Sequence, residues 1–205
     1  DNLTGVKDYR TFEFAGVKVA VIGVTNPEAP SLVFPGNFGT IVPSDPVAAA
    51  MRARAAARAE GAKVFIAVTH MGIEGRDANN QAFGPLVDFA SGLSGFQLVL
   101  GDHTNFLYEA RINGALVVEN LSKSASYSRI SLTVRRGTGQ VLASSNVFVT
   151  PTAASVAPDQ AVVDMLAPYR AALAPILGVQ LGVSGVAVPR ADKCGNGDGR
   201  TCESL

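Results

Sequence analysis

The sequence predicts an α/β fold built on a mixed β-sheet, and three observations lead to this prediction. In the first half of the chain, short apolar runs rich in β-branched residues alternate with helical stretches. Strands that are joined through a helix normally lie parallel. Beyond position 106, closely spaced alternating strands follow one another. The sheet is therefore expected to turn antiparallel toward its C-terminal half.

The first elements are a hairpin and a βαβ unit. Residues 12–24 have the pattern of two strands joined by a tight turn, the second of them buried. Ser44 or Asp45 can cap a helix that has proline at its first position and is stopped by Gly61. A strand at 63–69 completes the unit, with a right-handed parallel crossover as the expected connection.

The remaining elements follow from the same patterns. A short helix is predicted at 84–92 and a longer one at about 160–176. Between them, an Asn-Gly pair and a Gly-Thr-Gly segment mark hairpin turns. Four strands, expected as an antiparallel extension of the sheet, are predicted at 107–112, 115–119, 127–134 and 141–149.

Composition limits the classes of function. The chain has 205 residues and is 47% hydrophobic, enough to bury about 70% of its unfolded surface in one domain with an appended linker. Its 17 basic and 17 acidic residues balance, so no nucleic acid or anionic membrane is expected as a partner. No apolar run approaches the roughly 20 residues that a membrane span needs. The first residue is aspartate rather than methionine, which is compatible with a removed leader.

The two histidines of the chain, His70 and His103, are its main candidates for a functional site. Each follows a short apolar run, so each is predicted at the carboxyl end of a strand, where open α/β sheets bind ligands. Imidazole is the commonest nitrogen ligand of zinc, manganese and iron, so the pair indicates a metal site. A single histidine at a strand end is, however, more often a hydrogen-bonded polar residue, and the spacing leaves both interpretations open.

The segments around both histidines resemble motifs of a known enzyme family. Thr69-His70-Met71-Gly72 and Gly101-Asp102-His103-Thr104-Asn105 are similar to the last two metal-binding motifs of the calcineurin-like metallophosphoesterases. Within that family the 5′-nucleotidase branch has the patterns THxG and G-x-H-[ST]-H. Segments 16–25, 113–132 and 200–204 resemble, in turn, the strand that opens the second half of the catalytic domain, the strands after the final motif, and the start of the C-terminal domain.

The resemblance implies a fold, a domain organisation and a type of catalysis. Helices would pack on the mixed sheet of a metallophosphoesterase-type sandwich. Residues 1–150 would be the C-terminal half of the catalytic domain, and residues 151–205 a helical linker to a C-terminal nucleotidase domain that is missing. The intact protein would hold two divalent ions, zinc, manganese or similar, roughly 4 Å apart, which clamp a phosphate and activate a hydroxide. Substrates would be phosphate monoesters, above all nucleotides, and the protein would be secreted, periplasmic or on the cell surface.

The chain departs from the family pattern in two ways. The first three metal motifs, D-x-H, G-D-x-x-D and G-N-H-[DE], do not occur in it, so the chain by itself is expected to be inactive. A separate chain carrying the missing N-terminal half is a candidate partner. By resemblance, His70 and His103 bind one metal, and Asn105 stands where the family has a histidine for the other. Its amide oxygen suits manganese, calcium or magnesium better than zinc; alternatively, Asn105 is a turn residue.

Cys194 and Cys202 are the only cysteines, and they close a short polar loop rich in glycine. This arrangement predicts a disulfide and an oxidising compartment. A zinc site would need four ligands, and no histidine lies nearby. Residues 192–203 also partly match a calcium-loop pattern, but Cys194 takes the place of an oxygen ligand, which favours the disulfide.

Two alternatives to an enzyme remain at this point. The protein could be a relative of the family that has lost catalysis and serves as a scaffold or binding module, with Asn105 as the trace of that loss. Both histidines could also be structural residues of an unrelated α/β domain.

Asp102 lies beside His103 and could orient an imidazole, although adjacent side chains seldom aim at one point.

Overall fold

The structure is a computed structural model that describes residues 4–152 and 156–185. The chain divides into two compact units, Asp1–Thr152 and Ala153–Leu205. The described part of the first unit contains these elements in chain order: β1 (Tyr9–Phe14), β2 (Val17–Val24), a 3₁₀ turn (Ala29–Leu32), α1 (Pro46–Ala59), β3 (Val64–Thr69), β4 (Gly75–Arg76), β5 (Ala82–Phe83), α2 (Pro85–Gly92), β6 (Leu98–Leu100), β7 (Tyr108–Ile112), β8 (Ala115–Glu119), β9 (Tyr127–Val134) and β10 (Val141–Val149).

A six-stranded mixed sheet is the centre of the first unit. Its strand order is β1-β2-β3-β6-β8-β7. The four inner strands are parallel neighbours, while β1 and β7 pair antiparallel at the two edges. The predicted α/β fold with a mixed sheet is thus confirmed, as are the first hairpin and the parallel pairing of β2 with β3 across α1.

The helix α1 forms where the sequence predicts it. Asp45 caps it, since its Oδ1 accepts a hydrogen bond of 2.7 Å from the amide of Ala48. The helix is followed by Gly61, which has a φ of 92° and so lets the chain turn away. Its buried side chains are all alanines. These small residues let α1 lie close to the sheet, and α2 contributes the larger Leu86 and Phe89 to the same core.

The opposite face of the sheet is covered by β9 and β10. Ile130 of β9 and Phe148 of β10 pack against the buried Leu98, Leu116 and Val118. The expectation that these strands extend the main sheet was wrong: they pair with each other as a separate antiparallel sheet. The apolar side chains on this face of β6 and β8 must be shielded from water. A second layer of strands covers them, whereas strands added at the edge of the sheet would leave the face exposed.

The second unit contains α3 (Gln160–Leu177) in its described part. Asp159 caps this helix by accepting a hydrogen bond of 2.9 Å from the amide of Ala161, and the bounds agree with the predicted 160–176. None of the helices in the described residues is long and apolar enough to cross a membrane. Cys194 and Cys202, with the predicted disulfide, lie outside the described residues.

Candidate functional site

The two histidines lie at the same edge of the central sheet. His70 directly follows β3, and His103 lies three residues beyond the end of β6. These two strands are parallel neighbours, with Val68 opposite Leu100 at their carboxyl ends. The parallel pairing of β3 and β6 therefore brings both histidines to the carboxyl edge of the sheet, as the sequence predicts.

The two imidazole rings are in direct contact. Nε2 of His70 lies 3.0 Å from Nδ1 of His103, and the ring centroids are 4.8 Å apart at an interplanar angle of 66°. Two nitrogens bound to one ion at 2.0–2.1 Å lie about 3.3 Å apart at the tetrahedral angle of zinc and about 3 Å apart at a bond angle near 90°. The separation is that of a hydrogen bond between the rings, and it is also close to the spacing of two ligands of one divalent ion.

Asp102 contacts His70, although it is the chain neighbour of His103. Its Oδ2 lies 3.4 Å from Nδ1 of His70, and both side chains are more than half exposed, at 56% and 57%. A carboxylate beside Nδ1 favours a proton on that nitrogen, which leaves the Nε2 lone pair of His70 free to bind a ligand. With His70 in that tautomer, its Nε2 accepts a hydrogen bond from Nδ1 of His103.

The loop that carries His103 has an unusual backbone. His103 has a φ of 98° and Asn105 a φ of 65°, a left-handed region that costs free energy for a residue with a side chain. Asparagine tolerates this region better than most residues, so the backbone explains Asn105 as a turn residue. The described residues contain no group of three histidine, cysteine, aspartate or glutamate side chains that could hold a metal ion.

The last residue of β3 has a buried hydroxyl. Oγ1 of Thr69, the residue before His70, is buried and has no hydrogen-bond partner among the described residues. A buried polar group is normally paired with protein or water. With two imidazoles in place and no third side chain of the usual ligating types, the described residues fit part of a metal shell.

Sequence reasoning missed Glu119, the last residue of β8, which is fully buried. Its carboxylate accepts hydrogen bonds from the amides of Ile73, Thr104 and Phe106 and from the hydroxyl of Thr104. The one signal in the sequence is an acidic residue at the end of an apolar strand. That signal alone does not reveal which loops the carboxylate binds.

Gly72 stands out in the sequence only as part of a motif, but the structure gives it a packing role. A Cβ at this position would lie 2.7 Å from the carbonyl oxygen of Asp102 and 2.8 Å from Oε1 of Glu119. The two loops also share a backbone hydrogen bond of 3.0 Å from the amide of Asp102 to the carbonyl of Met71. Glycine is thus required because the loops after β3 and β6 touch each other here.

The fold was compared with those of known proteins. The calcineurin-like phosphoesterase YfkN from Bacillus subtilis superimposes with a TM-score of 0.70 at 20% identity, over 86% of this chain and 60% of that one. This chain has the calcineurin-like phosphoesterase fold. A 5′-nucleotidase precursor from Thermus thermophilus matches with a TM-score of 0.64 at 18% identity, over 86% of this chain and 35% of that one. The sulfate thiohydrolase SoxB from Thermus thermophilus gives a TM-score of 0.65 at 20% identity, with coverage of 83% and 29%.

These likenesses extend to the fold and to part of each neighbour. The chain covers between 29% and 60% of the length of the three proteins named above. No family model matches the sequence, and no curated protein sequence does either. The expected resemblance to calcineurin-like phosphoesterases and 5′-nucleotidases is confirmed at the level of structure.

Proposed function

We propose that the chain is part of a secreted, metal-dependent phosphoesterase similar to 5′-nucleotidases, which hydrolyses phosphate monoesters and above all nucleotides. The observation that carries this proposal is the contact of 3.0 Å between Nε2 of His70 and Nδ1 of His103. The two rings reach each other from the carboxyl ends of adjacent parallel strands, where α/β sheets bind ligands. The fold, shared with a calcineurin-like phosphoesterase and a 5′-nucleotidase precursor, supports the same class of reaction.

His70 and His103 would hold one of two divalent ions, and Asn105 would contribute its amide oxygen to the other. When bound, such ions supply positive charge that polarises a phosphoryl oxygen and stabilises the charge of the transition state. Asp102 holds the His70 ring with Nε2 facing His103. For both imidazoles to bind one ion, His103 must transfer its proton from Nδ1 to Nε2 or to solvent.

The chain by itself is proposed to be inactive. Both of its histidines are assigned to the metal, and it contains no other. A histidine that protonates the leaving group must therefore come from elsewhere. Two imidazoles also supply only half of the shell of a four-coordinate ion, which needs two further ligands.

We infer that the missing ligands come from another polypeptide segment, the N-terminal half of the catalytic domain. The strands β9 and β10 cover one face of the main sheet at β6 and β8. At β1 to β3 the same face is partly exposed. On this exposed part lie Phe12, Phe14 and Val68, which are 39%, 64% and 38% exposed. Because apolar side chains on the face of a sheet normally pack against another layer, this surface suits such a segment.

The compartment is proposed from the cysteines. A disulfide between Cys194 and Cys202 would form in an oxidising environment, such as the periplasm, the cell surface or the extracellular medium. This agrees with the proposed secretion.

A scaffold or binding protein without catalysis is the second candidate. The observation that favours it is the neutral Asn105 at the position where the resemblance implies a histidine. Such a relative would keep the fold and bind metal weakly or not at all.

The proposal is tested on protein purified from its natural source. Phosphate release from AMP and from p-nitrophenyl phosphate is measured across the final column in the presence of Mn²⁺ or Zn²⁺, and this chain is detected by mass spectrometry. We expect activity to co-elute with the chain and to disappear with EDTA. Metal content without any phosphatase activity in those fractions would favour the scaffold.

A further inference from the structure

The buried carboxylate of Glu119 connects the two loops that carry the histidines. Its Oε2 accepts a hydrogen bond of 2.9 Å from the amide of Ile73, in the loop after β3. Its Oε1 accepts bonds of 2.7 Å from the hydroxyl and 3.2 Å from the amide of Thr104, in the loop after β6. The amide of Phe106, in the same loop, lies 3.4 Å from Oε1. Oε2 thus accepts a hydrogen bond from the loop after β3, and Oε1 accepts hydrogen bonds from the loop after β6.

A carboxylate at this position needs a specific reason. Glu119 is fully buried, and taking a charged group out of water is costly unless hydrogen bonds replace its hydration. An apolar residue at the end of β8 would avoid that cost but would leave three backbone amides without this acceptor. All four groups that face its oxygens are donors, one on Oε2 and three on Oε1, and a carboxylate can accept through both oxygens.

The contact of the histidines depends on the relative position of these two loops. His70 lies three residues before Ile73, and His103 directly precedes Thr104. A shift of about 1 Å between the loops would change the 3.0 Å separation of the ring nitrogens, and metal sites require donor positions within a few tenths of an ångström. The side chain that ties both loops to β8 therefore controls the ligand geometry.

We propose that Glu119 is a positioning residue, which holds the loops after β3 and β6 so that the imidazoles of His70 and His103 can bind one divalent ion. The inference rests on the proposed function of the two histidines. Glu119 contacts neither imidazole in the described structure and acts through the backbone of Ile73 and Thr104.

The Glu119→Gln variant separates this role from simple filling of space. Glutamine has nearly the same shape, but it offers one oxygen and one NH₂ donor in place of two acceptors. Whichever way the amide is oriented, one loop then faces a donor, so the link that Glu119 makes between the loops is lost while the volume and the backbone hydrogen bond from Asp102 to Met71 are kept. Glu109→Gln is the matched control, because Glu109 lies on the adjacent strand β7, is exposed, and accepts its bond from Asn146.

Two measurements on the 205-residue chain test the proposal. Nuclear Overhauser contacts between the His70 and His103 rings report the geometry without metal, and titration with Co²⁺ reports ligation. We expect Glu119→Gln to lose the contacts between the rings and to bind Co²⁺ about tenfold more weakly or worse. It should still unfold cooperatively, and Glu109→Gln should behave as the wild type in both measurements.

Ring contacts and Co²⁺ affinity that are unchanged in Glu119→Gln would overturn the proposal. If that variant does not fold, Thr104→Val removes only the hydroxyl donor and is expected to weaken both signals in the same direction; unchanged signals there would also overturn it. A wild-type chain that shows the ring contacts but binds no Co²⁺ would refute the proposed metal site. The ring contacts of the variants would still decide whether Glu119 positions the histidines.

Discussion

Asp102 lies 3.4 Å from the Nδ1 atom of His70 through its Oδ2, on the side of the ring opposite the His103 contact. A carboxylate beside one ring nitrogen fixes the tautomer and makes the other nitrogen a better ligand. The nitrogen that we propose as a metal ligand and the carboxylate that orients its ring thus lie on two different loops of the sheet edge.

The first prediction concerns this orienting contact. Asp102→Ala is expected to weaken divalent metal binding about tenfold, because His70 loses the partner that favours its ligating tautomer. Thermal stability should change little, since both side chains are more than half exposed. Asp88→Ala, which removes the same charge from an exposed position on α2, is the control. Equal metal affinities for the two variants would contradict this role of Asp102.

The second prediction concerns the close approach of the loops at Gly72. Gly72→Ala should destabilise the fold by about 1–3 kcal/mol, because its Cβ would overlap backbone and side-chain atoms that cannot all move away. Gly23→Ala is the matched control on β2, where a Cβ would meet no described atom within 4 Å. Urea unfolding measures both free energies. A Gly72→Ala variant as stable as Gly23→Ala would show that the loops separate easily.

A third prediction follows from Tyr108, the first residue of β7. Burial raises the pKa of its hydroxyl, and nearby Arg76 opposes that shift. The folded state therefore favours the neutral ring. Its contribution to stability is complete below the unfolded-state pKa of about 10 and is lost as the pH rises through the higher folded-state pKa.

Chemical denaturation between pH 8 and pH 12 measures this effect. Tyr108→Phe should lose less stability on going to high pH than the wild type does. Tyr127→Phe, at a position that is 51% exposed, should follow the wild type. Part of the alkaline loss should remain in Tyr108→Phe, because a hydrogen bond to Glu60 also raises the pKa of Tyr9. An identical pH dependence for Tyr108→Phe and the wild type would refute the assignment.

The fourth prediction is the absence of catalysis in the isolated chain. The recombinant polypeptide should release no phosphate from p-nitrophenyl phosphate above background with Mn²⁺, Zn²⁺ or Mg²⁺, since its described residues supply two imidazoles of a metal shell and both histidines are proposed to bind the metal. His103→Ala, prepared in the same way, gives the background of contaminating phosphatases. Turnover well above that background, abolished by EDTA, would contradict the prediction.

Much of the fold follows from local chemistry. The apolar runs before His70 and His103 predict two buried strands, and the rule that ligands bind at the carboxyl ends of parallel strands predicts that both imidazoles meet there. Asp45 and Gly61 define the two ends of α1 through capping and a left-handed φ. The strands and the helix ends depend on residues close together in sequence, which explains why they could be predicted. The meeting of the imidazoles follows from these strands together with the general rule for parallel sheets.

The remaining features depend on contacts between distant parts of the chain. The alternation of apolar and polar residues in β9 and β10 is the same whether these strands extend the main sheet or form a second layer. The pairing of Asp102 with His70 is a contact between two loops, and the loop of Asp102 has a left-handed backbone at His103. Glu119 becomes informative only when the loops after β3 and β6 are both known to reach the end of β8.

The central claim is that His70 and His103 bind one divalent ion together. Isothermal titration of the 205-residue chain with Co²⁺, with native mass spectrometry to count bound ions, tests it most directly. We predict one ion per chain in the wild type and its loss in both His70→Ala and His103→Ala, with Glu109→Gln at an exposed position on β7 as an unaffected control. Co²⁺ binding that survives both histidine substitutions, or that is absent from the wild type, would contradict the account.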